Sequence, residues 1–208
     1  LPPDGDAAMN PLKKPLHMTL VALVIVQLSA CSRTVQWEEE VPLNTGETIW
    51  VKRSGTYSFG SESGNPLRFG YNPDWRSTIE FTYKGKKYSH TDAAGLILLA
   101  IDPDGIPNLV AMAGEYDWQW KNNYHCVVPF YVQFRPDATG KNWNWPQQID
   151  PWLYSLQTNL MFGLAPISFE QKKYTPADRI NKNGSLLIFR EYQQIDPTYK
   201  YETCKGKN

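Results

Sequence analysis

Polar and apolar residues alternate over short stretches along most of this chain, and the recurring period is two. Thr78-Ile79-Glu80-Phe81-Thr82-Tyr83-Lys84 is the clearest case, a strand with one wet and one dry face. Gly85-Lys86 and then Lys87-Tyr88-Ser89 follow it, which predicts a hairpin closed by a two-residue turn. Leu96-Ile97-Leu98-Leu99-Ala100-Ile101 is apolar at every position and predicts a strand buried on both faces. Asp102-Pro103-Asp104-Gly105 then places proline and glycine where a type I turn wants them, ahead of a return strand from Pro107 to Met112. From His125 to Phe134 one face carries Cys126, Val128, Phe130, Val132 and Phe134, and the other Val127, Tyr131 and Gln133; this is the strongest strand pattern in the chain. Pro129 removes a ladder donor from it and predicts an edge or a bulge. Thr48 to Arg53, after the turn signal Asn44-Thr45-Gly46, and Ser185 to Tyr192 read as further strands.

Other stretches are less regular. Val35 and Trp37 alternate in a short strand or extended arm that begins a tether, and Glu38-Glu39-Glu40 reads as a solvated face. Tyr57 and Phe59 alternate with serine, but Gly60 to Pro73 is rich in Gly, Ser, Asn and Pro and reads as a long loop. Asp150-Pro151 supplies a cap and a first-turn proline, and Trp152, Leu153, Leu156 and Leu160 recur at helical spacing, predicting one short helix over 151–160. The expectation is a mainly β fold, antiparallel, hairpin-linked and sandwich-like, or a β-rich α+β domain with that one helix.

Composition supports this reading. Eight Trp, twelve Tyr and eight Phe suit strands, and sixteen Pro with fourteen Gly interrupt the chain too often for long helices. Twenty-one basic residues balance twenty-one acidic ones. No basic run offers the counterion release that drives nucleic-acid binding, so no nucleic-acid partner is expected.

The N-terminal part has a different grammar. Lys13 and Lys14 precede the apolar run Met18 to Val26, which is too short for the ~20 residues a spanning helix needs, and Leu28-Ser29-Ala30-Cys31 follows. The basic, apolar and small-residue segments resemble a bacterial lipoprotein signal peptide, and the last four residues match its lipobox at every position. The resemblance implies lipid on Cys31, cleavage before it, and stable membrane attachment through at least two acyl chains. Ser32 resembles the sorting residue that sends such proteins to the inner face of the outer membrane. On this reading residues 1–8 are an upstream extension, 9–30 the signal peptide, 31–45 the lipidated terminus and tether, and 46–208 a single β-rich periplasmic domain. Cys31-Ser-Arg-Thr-Val-Gln-Trp-Glu-Glu-Glu and Asn159-Leu-Met-Phe also resemble small proteobacterial envelope lipoproteins that have no assigned activity. Only Cys31 takes a role from the resemblance.

Three cysteines are present, and lipid on Cys31 leaves Cys126 and Cys204. In an oxidising compartment that pair reads as one disulfide, worth up to about 4.5 kcal/mol in the chain-entropy picture; a buried free thiol is the other reading.

Candidate chemistry is sparse. Trp118-Gln119-Trp120 and Trp143-Asn144-Trp145 place tryptophans two apart, so each pair shares a strand face, either as a flat ligand platform or as core and its rim. His90 and His125 are the histidines outside the leader, and Asp92 shares a strand face with His90. No nucleophile elbow, zinc-ligand spacing or phosphate loop accompanies them, so no catalytic residue, metal or cofactor is assigned. The leading expectation is a lipid-anchored envelope lipoprotein that acts as a non-enzymatic binding or scaffolding module toward an envelope protein or glycan. A glycan- or peptidoglycan-binding protein using the paired tryptophans is the first alternative, and a periplasmic hydrolase the second.

Overall fold

The computed structural model describes residues 32–62, 65–92, 95–113, 121–124, 126–145, 149–161, 173–178 and 194–200. Their strands are β1 (Ser32–Pro42), β2 (Thr48–Glu62), β3 (Asn65–Tyr83), β4 (Lys86–Asp92), β5 (Gly95–Ile101), β6 (Pro107–Met112), β7 (Tyr131–Pro136), β8 (Trp143–Asn144) and β9 (Lys173–Tyr174). They form a five-stranded sheet in the order β4-β3-β2-β1-β9 and a four-stranded sheet in the order β5-β6-β7-β8. The fold is mainly β and sandwich-like.

Contacts divide the chain into two compact units. Of the described residues, Ser32, Arg33 and those of Ser58–Asn72 fall in one, and those of Thr34–Tyr57 and from Pro73 onward in the other. Within the first, the ends of β2 and β3 are strand where composition pointed to a loop over 60–73. Asn72 Nδ2 donates to the carbonyls of Gly60 and Ser61, at 3.3 and 3.1 Å, and the Phe59 and Tyr71 rings meet edge to face at 5.5 Å. Loop-forming residues are held there by cross-strand partners, which composition does not reveal.

The second unit holds the sandwich. Val41, Val51, Ile79 and Phe81 of the five-stranded sheet pack against Leu99, Leu109, Val132 and Phe134 of the other. The stretch expected to be a tether is packed instead: Val41 and Leu43 join this core, while Val35 and Trp37, on the same buried face of β1 as Val41, form a separate cluster with Tyr57, Met161 and Tyr174. Alternation at period two is what puts them there.

Both predicted hairpins are present. Tyr83 pairs with Lys86, so the two turn residues are Lys84 and Gly85, one position earlier than expected, with φ of 47° and 76°. A two-residue turn with both φ positive matches the twist of the strands it joins. At the second hairpin Gly105 N–H donates to Asp102 O at 2.9 Å, and Asp102 Oδ1 accepts from the N–H groups of Asp104 and Ile106.

β5 is buried along its length after Gly95 because its sheet is covered on both faces. A register shift between Leu96 and Leu98 turns Leu96, Leu99 and Ile101 toward the sandwich core. Ile97, Leu98 and Ala100 instead join Val110 and Tyr131 beneath Ile149, Leu153 and Ile195. The β5 edge is finished by two carboxamides. Asn159 Oδ1 accepts from Leu99 N–H at 2.8 Å while its Nδ2 donates to Leu99 O at 2.7 Å, and Asn44 makes the same pair of bonds with Ile101, both at 2.8 Å. Each side chain thus stands in for a neighbouring strand, which disarms an edge.

Two elements depart from the sequence pattern. The helix expected over 151–160 starts at Pro151 but is one 3-10 turn, Pro151–Leu153, after which Tyr154 is extended and Ser155 has φ 70°. Ser155 N–H donates to Ile195 O and Ile195 N–H to Leu156 O, so the backbone beyond the turn pairs with a distant segment. Asp150 makes no side-chain cap; its Oδ2 accepts from Gln133. The strand expected over 125–134 begins only at Tyr131, since Cys126 sits at φ 59°, a left-handed conformation that a ladder does not accept, and Pro129 carries no N–H. The strand expected over 185–192 lies outside the described residues.

Candidate functional site

The outer face of the five-stranded sheet carries the candidate site. Even-numbered residues of β1, β2 and β3 point outward there, because their odd-numbered neighbours Trp37, Val51, Ile79 and Phe81 are buried. A hollow of about 560 Å³ is lined by Gln36 and Glu38 of β1, Lys52 and Ser54 of β2, Thr78 and Glu80 of β3, and Lys173 of β9. A second hollow of about 400 Å³ shares Ser54 and Thr78 with it and reaches Arg76 and Thr91. Thr78 and Thr91, partners across β3 and β4, join their hydroxyls at 2.8 Å. Trp50 projects from the same face of β2, two residues from Lys52, and is 47% exposed.

Lys173 ties this surface together. Its position follows from the parallel pairing of β9 with β1, which sets it opposite Glu38. Its ammonium lies 3.3 Å from Glu38 Oε2 and 5.2 Å from the centre of the Trp50 ring. An ammonium near an aromatic face is attracted to the ring's electron density, so Lys173 steadies the indole while closing one wall of the hollow.

Beneath the hollow lies a buried ion pair. Glu39, expected to be solvated with its neighbours, is 3% exposed and lies on the inner face with Trp37. Its Oε1 accepts from Trp37 Nε1 at 2.6 Å and from Arg53 at 3.2 Å, and its Oε2 accepts from Met161 N–H at 2.9 Å. The Arg53 guanidinium lies 5.4 Å from the centre of the Trp37 ring and donates to Met161 O. Arg53 Nε has no hydrogen-bond partner among the described residues. A charge pair this dry is costly to form and costlier to break on one side, so it fixes β1 against β2 beneath the outer face.

The described residues among those singled out from sequence lie away from this surface. Trp143 and Trp145 do share a face, but it is the core side: both pack partly buried against the sandwich core. Trp143 Nε1 donates to Ser89 O at 2.7 Å, and Trp145 meets Tyr124 edge to face at 5.5 Å. Trp118, Trp120, Cys31, Cys204 and His125 lie outside the described residues. Cys126 is described and half-buried. His90 is 7% exposed, its ring 4.4 Å from Phe134 and 5.3 Å from Trp143. Burial pushes its imidazole down to about 4, against a smaller upward pull from Asp92. It is a neutral core ring, and its Nε2 has no hydrogen-bond partner among the described residues. Among those residues no group of three or more His, Cys, Asp or Glu side chains is placed to hold a metal.

Trp50 was readable only as a strand residue. The signal lay in Thr48-Ile49-Trp50-Val51-Lys52-Arg53, where alternation puts the indole with Thr48 and Lys52 on the polar face. The class defined by these observations is a two-sheet β-sandwich in which, among the described residues, one outer face is covered and the other open. No family model, curated protein or solved structure matches this chain.

Proposed function

We propose that this protein is a lipid-anchored lipoprotein of the bacterial cell envelope, held by acyl chains on Cys31, whose sandwich is a non-enzymatic binding module facing the periplasm. The observation that carries the reading is Leu28-Ser29-Ala30-Cys31 at the end of a basic and then apolar leader. Ser32 in the sorting position favours the inner face of the outer membrane. A disulfide between Cys126 and Cys204 belongs to the same proposal, since the periplasm is oxidising.

The test is fractionation of cells making the whole chain or its Cys31→Ala variant. The unsubstituted chain stays with membranes through a high-salt wash and the variant is released. A variant that still sediments after the wash shows that lipid on Cys31 is not what holds the protein. A second reading, glycan binding, is favoured by the hollow beside Trp50 rather than by Trp143 and Trp145, which pack against the core.

A further inference from the structure

We propose that the outer face of the five-stranded sheet binds a glycan strand of the cell wall, with Trp50 stacking on a sugar ring and the hollow supplying hydrogen bonds. The proposal deepens the binding-module reading above and rests on its envelope location for the choice of glycan.

Three properties of the surface select the ligand class. The first is charge. Lys52 and Lys173 are interspersed with Glu38 and Glu80 around the hollow, and one of the lysines is already paired with Glu38. No field of one sign results, so neither a polyanion nor a polycation is favoured over the other. The second is the kind of polar group. Ser54, Thr78 and Gln36 offer both donors and acceptors, and the carboxylates accept while the ammonium groups donate. Neighbouring strands lie about 4.8 Å apart, so these groups recur at a spacing comparable with a pyranose ring. Chains of hydroxyls and acetamido groups need that mixture, and a lipid or apolar peptide does not. The third is Trp50. An indole with nearly half its surface in solvent and its ring held by Lys173 is a preset flat apolar patch beside polar groups. Sugar rings present apolar C–H faces bordered by hydroxyls, which matches a flat aromatic with a polar surround. Residues inside the envelope meet one insoluble polymer of this type, the amino-sugar backbone of peptidoglycan.

The experiment is co-sedimentation of the full chain, kept in mild detergent, with purified peptidoglycan sacculi. The unsubstituted protein is expected to pellet with the sacculi and to do so still at about 1 M salt, where screening confines charge attraction to about 3 Å. Trp50→Ala is expected to weaken binding about tenfold, the scale of one aromatic stacking contact. Ile106→Ala, an exposed apolar residue at the β5–β6 turn, is expected to bind as the parent does. Cys31→Ala is also expected to bind sacculi fully, so that anchoring and glycan binding are read separately. The proposal is overturned if the parent chain does not pellet, if binding vanishes at high salt as simple ion exchange would, or if Trp50→Ala pellets as well as the parent. In each of those cases membrane retention through Cys31 can still hold, and its failure leaves the sacculus result standing.

Discussion

The two sheets treat their outer faces in opposite ways. The four-stranded sheet is roofed by Ile149, Leu153 and Ile195, and its outward residues Ile97, Leu98, Val110 and Tyr131 are buried. Its polar groups are also tied off: Gln133 donates to Asn108 Oδ1 at 2.9 Å and to Asp150 Oδ2 at 2.8 Å and accepts from Asp150 N–H, while Asp102 receives Arg135 at 2.6 Å. Among the described residues the five-stranded sheet has no such roof over Gln36, Lys52, Ser54 or Thr78, which border open hollows, and the ion pair below them leaves Arg53 Nε without a partner. A saturated polar network suits architecture, because every desolvated group has been compensated. An open polar face over a rigid, costly ion pair suits binding. The difference is the ground for proposing the binding surface on one sheet and the fold's stability on the other.

Truncations can break this contrast, beginning with the largest effect. Glu39→Ala removes one side of the buried pair and leaves the Arg53 charge stranded, which is expected to cost about 3–5 kcal/mol in urea unfolding. A cost near zero would mean the pair is not dry. Leu153→Ala, which opens the roof of the four-stranded sheet, is expected to cost about 2–5 kcal/mol, whereas Trp50→Ala on the open face stays within about 0.5 kcal/mol. Equal losses at the two positions would erase the distinction between the sheets.

His90 sharpens the contrast by pH. Its folded value of about 4 lies below the ordinary 6.5, so above pH 6.5 the ring is neutral in both states and costs nothing. Between pH 6.5 and 4 the unfolded chain takes up a proton that the folded chain refuses, and stability falls by an amount on the order of 3 kcal/mol. His90→Gln is expected to flatten that limb of the stability profile, and an unchanged slope in the variant would assign the loss to other groups. Asn159→Leu is expected to cost about 2 kcal/mol, since Leu99 loses both edge bonds. Faster exchange of the Leu99 amide would report the opened edge.

Much of the architecture was legible because it is local. Both hairpins are written in their turn residues, and the apolar run of β5 announced a strand covered on both faces. The Gly60–Pro73 stretch was not legible, because Asn72 and the Phe59–Tyr71 contact hold the ladder there against a loop-like composition. The 151–160 helix failed for a related reason: Ser155 and Leu156 bond across to Ile195 instead of continuing the turn. Glu39 illustrates a signal that outweighs residue type, since alternation with Val35, Trp37 and Val41 places it inward despite its charge. Spacing likewise showed that Trp143 and Trp145 share a face, but which face meets solvent is decided by the opposing sheet. The carboxamides that cap β5 come from 57 and 60 residues away, beyond any local pattern.

The claim on which the proposed location depends is the fate of Cys31, and intact-mass analysis of the N-terminal peptide from membrane-extracted protein tests it most directly. The account predicts a chain that starts at Cys31 and carries two or three acyl chains. An N-terminal peptide that retains residues before Cys31, or that begins there with an unmodified thiol, would contradict it.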